Sequence, residues 1–160
     1  MKRSYWLILS WVFVLSVAAM IFIFSAQEGA ESSQISSGIT QWLLHLLYPR
    51  YDQLSPADKN TLLGSWQFAL RKAAHFSEFA LLGISLKLLF RLLVRQKPSL
   101  LAWIIGTLYA CTDELHQTVV SDRAGMWQDV CIDSAGVLFG VLAVLLILSL
   151  RKRRKKVKHQ

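Results

Sequence analysis

The sequence predicts an all-α, polytopic integral membrane protein with four transmembrane helices and an extracytoplasmic amphipathic helix. Three observations carry that prediction. Four apolar stretches come close to the roughly 20 residues that cross a bilayer core, spread over a chain of 160 residues. Hydrophobic residues make up 54% of the chain, above the roughly 45–50% of an ordinary soluble domain. All ten acidic residues fall between Glu28 and Asp133, whereas the chain beyond Leu150 opens on the uninterrupted cations Arg151 to Lys156. The length fits one domain over 1–160.

The first span is expected over 5–24. It follows Lys2-Arg3, as a signal peptide would, but its apolar run exceeds a typical signal core. Phe24 at the −3 position of a cut after Ala26 is a poor cleavage context, so an uncleaved helix is expected. Residues 25–72 are too many for a plain connection. Within them Ile35, Ile39, Trp42, Leu43, Leu46 and Leu47 recur at helical spacing, with Ser36, Ser37, Thr40, Gln41 and His45 on the other face. This reads as an amphipathic helix on the outer surface or against the bundle, stopped by Pro49. Ser55-Pro56 is an N-cap followed by proline at the first helical position. A helix from there is expected to pass Trp66 and Phe68 into the second span, 73–94. The third span, 100–117, opens after Pro98 and Ser99. The fourth is 129–150, followed by a basic tail over 151–160.

Charge orients these spans. Lys2-Arg3, the link with Arg91, Arg95 and Lys97, and the tail hold no acid, whereas the other connections hold Glu28, Glu31, Asp52, Asp58 and Asp122. Cytoplasmic flanks collect Lys and Arg, so both termini are expected in the cytoplasm of a multi-pass plasma-membrane protein. Lys87, toward the inner end of the second span, is expected to snorkel. The net charge of +8 is thereby assigned to span anchoring and anionic lipid, with no nucleic-acid partner. There is no repeat, P-loop or dinucleotide fingerprint. Cys111 and Cys131 sit in apolar context and read as small buried hydrophobes, a disulfide between two helix ends being the second reading.

Orientation places most groups capable of chemistry at the outer end. Arg71, His75 and Glu78 share a face of the second span. Asp113, His116 and Gln117 do so on the third, beside Glu114. Asp129 and Asp133 are four apart on the fourth, with Gly136 and Gly140 continuing their stripe into a GxxxG pattern that admits a close neighbour. The plainest account is an ion-pair network in which Arg71, Lys72 and Arg123 neutralise carboxylates. Glu78, Asp113, Glu114, Asp129 and Asp133 outnumber those cations, and such crowding favours protonation or recruits a cation. The ligand-binding candidates are Arg71, His75, Glu78, Asp113, Glu114, Gln117, Arg123, Asp129 and Asp133. A divalent metal would fall to Asp129 and Asp133, although the spacing is not that of the zinc-protease helix. If the site is catalytic, His75 with Glu78, or His116 with Asp113, would supply base and orienting acid, and Arg123 would clamp a phosphate or carboxylate. A proton-coupled carrier is disfavoured, because the inner halves of the second and fourth spans hold no acid to complete a path.

The same residues carry a resemblance. Phe24-Ser25-Ala26-Gln27 with the following serines, Arg71-Lys72-Ala73-Ala74-His75-Phe76-Ser77-Glu78-Phe79 with Leu82-Gly83, Asp113-Glu114-Leu115-His116-Gln117, Asp122-Arg123, Asp129-Val130-Cys131-Ile132-Asp133 and Gly136 together resemble the VanZ-like family of bacterial membrane proteins. Family members often have Pro-Gly before the arginine, where this chain has Ser121-Asp122. The resemblance implies a small plasma-membrane protein of the cell envelope, an accessory factor in tolerance to teicoplanin-type lipidated glycopeptides. Its partners would be the bilayer and a lipoglycopeptide or a lipid-linked envelope precursor. No activity is securely attached to the family, so a metal-dependent membrane enzyme acting on such a precursor stays open beside a non-catalytic factor.

Overall fold

The computed structural model describes residues 2–27, 29–94, 96–121, 123 and 125–157. They form α1 (Lys2–Ser25), α2 (Gly29–Leu47), a 3-10 turn (Tyr51–Gln53), α3 (Pro56–Leu93), α4 (Pro98–Gln117) and α5 (Trp127–Val157), with no strand among them. The all-α expectation holds. α1 and α5 are, among the described residues, the two helices long and apolar enough to cross a membrane. α1 buries only the narrow stripe Val14, Val17, Ile21 and Ser25 and leaves Ile8, Val12, Leu15 and Ile23 exposed. α5 likewise buries Asp133, Val137, Val141 and Val144 while Leu138, Phe139, Leu142 and Leu146 point out. A helix apolar on its outward face suits hydrocarbon surroundings. α3 and α4 are less apolar because they carry the polar groups.

α3 lies at the centre, packed against each of the other four helices. The four long helices alternate in direction. The Arg3 guanidinium donates to the Leu92 carbonyl at 3.1 Å, so α1 begins where α3 ends. The Ser25 hydroxyl donates to Asp113 at 2.8 Å, so α1 ends where α4 ends. Close approach of α3 and α5 rests on glycine. A Cβ on Gly83, Gly136 or Gly140 would overlap the backbone carbonyl of Val137, Phe76 or Ala80. Gly106 of α4 opens onto the Val137 side chain, so three helices meet around Val137, which is fully buried. The stripe Asp129, Asp133, Gly136, Gly140 therefore faces α3, as its spacing predicts.

The cap at Ser55 forms as expected. Its hydroxyl accepts from the Asp58 amide and donates to the Asp58 carboxylate at 2.6 Å. From there α3 continues for 38 residues through Trp66 and Phe68, about 57 Å at 1.5 Å per residue. Pro98 opens α4, but Ser99 is no cap. The residue before the proline, Lys97, takes the left-handed backbone (φ 45°, ψ 43°), and Ser99 instead accepts from Lys87 Nζ at 2.7 Å.

The sequence leaves open the face that α2 turns to the bundle, and two further features differ from expectation. α2 presents Ser36, Thr40 and Leu44 to the bundle, each buried, and turns Ile39, Trp42, Leu46 and Leu47 outward. Small side chains let α2 lie close on α3, and that contact decides the face, not apolarity. Cys111 and Cys131 are exposed and unbonded rather than buried, because they sit on the outward faces of α4 and α5. The helix of α5 also does not stop at Leu150; it carries the cations onward to Val157.

Candidate functional site

Ser25, the last residue of α1, comes to rest on α4. Its side chain is fully buried and its hydroxyl donates to Asp113 Oδ2. Gln117, one turn beyond Asp113, donates to the same oxygen at 3.0 Å. One Asp113 oxygen is thus fixed from two sides, while the other, Oδ1, is buried without a hydrogen-bond partner. Across the α3–α5 crossing stands Asp133, 1% exposed, with neither carboxylate oxygen partnered. His75 of α3 completes the group. One nitrogen of His75 and one oxygen from each of Asp113 and Asp133 lie within 4.8 Å of one another. Gly136 sets this up: it brings α5 onto the Phe76 carbonyl, so Asp133, one turn earlier on α5, comes level with His75.

Asp129 and Glu114 have structural partners. Asp129 pairs with Lys72 of α3, its side chain 20% exposed. Glu114 accepts the Met126 amide at 2.9 Å, placing an anion at the N-terminal end of α5, where unpaired amides and the helix dipole favour it. Gly125 packs on the Glu114 carbonyl with no room for a Cβ, so the backbone just before α5 is held against α4. Asp122 lies outside the described residues. His116 leaves the group and stacks on Phe22 of α1, ring centroids 4.6 Å apart.

Beside the buried group opens a cleft of about 320 Å³, bounded by Phe24, Ile39, Leu70, Arg71, His75, Glu78 and Arg123 among others. Arg123 spans its rim and approaches the Phe24 carbonyl at 3.5 Å. Burial, and after it the charge of Arg71, holds the Arg123 guanidinium below the usual arginine range, offset by Asp113, Glu114 and Glu78. Two guanidiniums, Arg71 and Arg123, thus border a cleft whose other walls include the apolar Phe24, Ile39 and Leu70.

The structure thus brings together His75, Asp113 and Asp133, with Glu78, Arg71 and Arg123 at the adjoining cleft. It places Glu114, Gln117 and Asp129 in supporting hydrogen bonds and His116 against α1. Ser25 and Lys72 were not among the site residues expected from sequence. Ser25 heads a polar break after twenty-odd apolar positions, which is the signal that could have singled it out.

No curated protein and no solved structure matches the chain. A family model described as VanZ/LLP1 matches residues 10–148, from the first third of α1 almost to the end of the apolar part of α5, and takes in every residue of the buried group and the cleft. The chain belongs to the VanZ/LLP1 family, and with two bilayer-length apolar helices it is a membrane-associated member of it.

Proposed function

We propose that the protein is a multi-pass component of the bacterial plasma membrane with both termini in the cytoplasm. α1, the second half of α3, α4 and α5 span the bilayer, and the cleft opens at the extracytoplasmic headgroups, where it holds an anionic amphiphile. It serves as an accessory factor of the cell envelope, of the kind that raises tolerance to teicoplanin-type lipidated glycopeptides. The cleft carries this reading. Arg71 and Arg123 meet the anion, and Phe24, Ile39 and Leu70 meet the apolar portion. At about 320 Å³ it sits at the small end of ligand pockets. That volume suits the headgroup of a lipid-linked envelope precursor, or the lipidated edge of a glycopeptide, and not a whole antibiotic.

Two further features support the orientation. Arg3, Arg91 and Arg151 gather at the end of the bundle opposite the cleft, as cytoplasmic anchors do. The outward apolar face of α2, with Trp42 and Leu46, suits immersion at the lipid interface on the cleft side.

Two measurements test the reading. In a chain with Cys111 and Cys131 replaced by serine, Asn60→Cys reacts with a membrane-impermeant thiol reagent in intact cells and Lys152→Cys reacts only after lysis; the reverse pattern overturns the orientation. Expression of the wild-type chain raises the inhibitory concentration of a lipidated glycopeptide and not of an unlipidated one. Arg71→Ala with Arg123→Ala abolishes that difference at unchanged protein level. Equal shifts for both antibiotics, or none, exclude the role.

A further inference from the structure

We infer that His75, Asp113 and Asp133 form a binding site for a divalent first-row transition cation, held between α3, α4 and α5. This goes beyond the cleft and stands whichever way the chain is oriented. The observation behind it is unmet polar capacity at one point. Asp133 is 1% exposed with two unpartnered oxygens, Asp113 is 4% exposed with one, and His75 Nδ1 is also buried without a partner. Leaving a buried polar group unsatisfied costs on the order of 1–3 kcal/mol, more for a charge. A nitrogen of His75 and one oxygen each of Asp113 and Asp133 lie within 4.8 Å of one another, and the three residues come from three separate helices. Bonds of about 2.0–2.2 Å to a common ion draw donors to at most about 4.4 Å apart, a closure within reach of small side-chain rotations.

The donor set selects the ion. One imidazole with two carboxylates suits Zn2+, Mn2+ or Fe2+, and the nitrogen argues against Ca2+ and Mg2+, which favour oxygen alone. The surroundings are those of a ligand and not of a spare acid. Asp113 Oδ2 is held by Ser25 and Gln117, which leaves Oδ1 oriented and free. Hydrogen-bond partners of this kind orient metal-binding carboxylates. Asp129, the other acid of the α5 stripe, is taken by Lys72 and stays outside the set. Because His75 also borders the cleft, an ion here adjoins whatever the cleft holds.

Zn2+ binding to the purified full-length protein in detergent, after chelator treatment, tests the site by equilibrium dialysis and metal analysis. One Zn2+ per chain is expected. His75→Gln and Asp133→Asn each reduce affinity more than tenfold, Ser25→Ala about tenfold through Asp113, and Asp129→Asn leaves it unchanged. Added Zn2+ raises the melting temperature of the wild type and not of His75→Gln. Co2+ gives visible absorption bands of an N/O site in the wild type, lost in His75→Gln, which decides the matter should Asp133→Asn fail to fold. No stoichiometric uptake, or uptake indifferent to His75 and Asp133, overturns the site. Antibiotic tolerance enters none of these readouts, so the cleft reading and the metal site fail separately.

Discussion

At one end of the bundle Arg3, Arg91 and Arg151 stand exposed, and no ion pair engages them among the described residues. At the other, Lys72 meets Asp129, Asp113 is clasped by Ser25 and Gln117, and Glu114 holds the start of α5. Charge at the first end is met by water or lipid headgroups and asks little of the fold. Charge at the second is drawn between helices, where Lys72, Ser25 and Met126 reach carboxylates on other elements. The first end is therefore a matter of composition, and the second a matter of geometry. Sequence changes should be tolerated at one and costly at the other.

The contrast can be broken most severely at the crossing that builds the buried end. Gly140→Val drives a side chain into the Ala80 carbonyl; a loss of about 3 kcal/mol or more is expected, read as a collapse of the detergent-solubilised protein's melting transition. Little change would mean that α3 and α5 are not in contact there. Next is Lys72→Ala, which strands Asp129 at a position only one-fifth exposed. A cost of about 1–3 kcal/mol is expected, the upper range of a buried pair being reduced by residual solvent. Adding Asp129→Asn should recover about half of it. The smallest effect belongs to the other end. Arg3→Ala loses one exposed hydrogen bond to Leu92 and should shift stability by no more than about 0.5 kcal/mol; a larger loss would erase the distinction between the ends.

Much of the architecture was legible because it follows local rules. Ser55-Pro56 starts α3, Pro49 follows the end of α2, Pro98 opens α4, and the Asp129–Gly140 stripe turns toward a neighbour as its fourfold spacing says. What is left open or misread mostly turns on a choice settled by a partner on a different element. Which face of α2 meets the bundle is open from sequence, and it is α3 that selects Ser36, Thr40 and Leu44. Asp129 and Asp133 look equivalent on α5, and only Lys72, 57 residues away in the chain, separates them. Asp113 joins Asp133 for the same reason, since nothing in the spacing of α4 reveals how it leans on α5. Cys111 and Cys131 were read as interior from apolar neighbours, but in a chain whose outward faces are apolar that context no longer marks the inside.

The unbroken length of α3 has a mechanical meaning. No proline follows Pro56 in it, and its about 57 Å exceeds a hydrocarbon thickness of about 30 Å. Pro and Gly/Ser pairs are where helices hinge; after Pro56, α3 holds one adjacent pair of that kind, Gly64-Ser65, so the segment from Trp66 to Leu93 acts as one lever. A force on the hairpin that α2 and α3 make around Tyr51 meets that pair before it reaches the lever. Past it, motion tilts His75 and Glu78 with the rod and ends at Lys97, at the other end of α3.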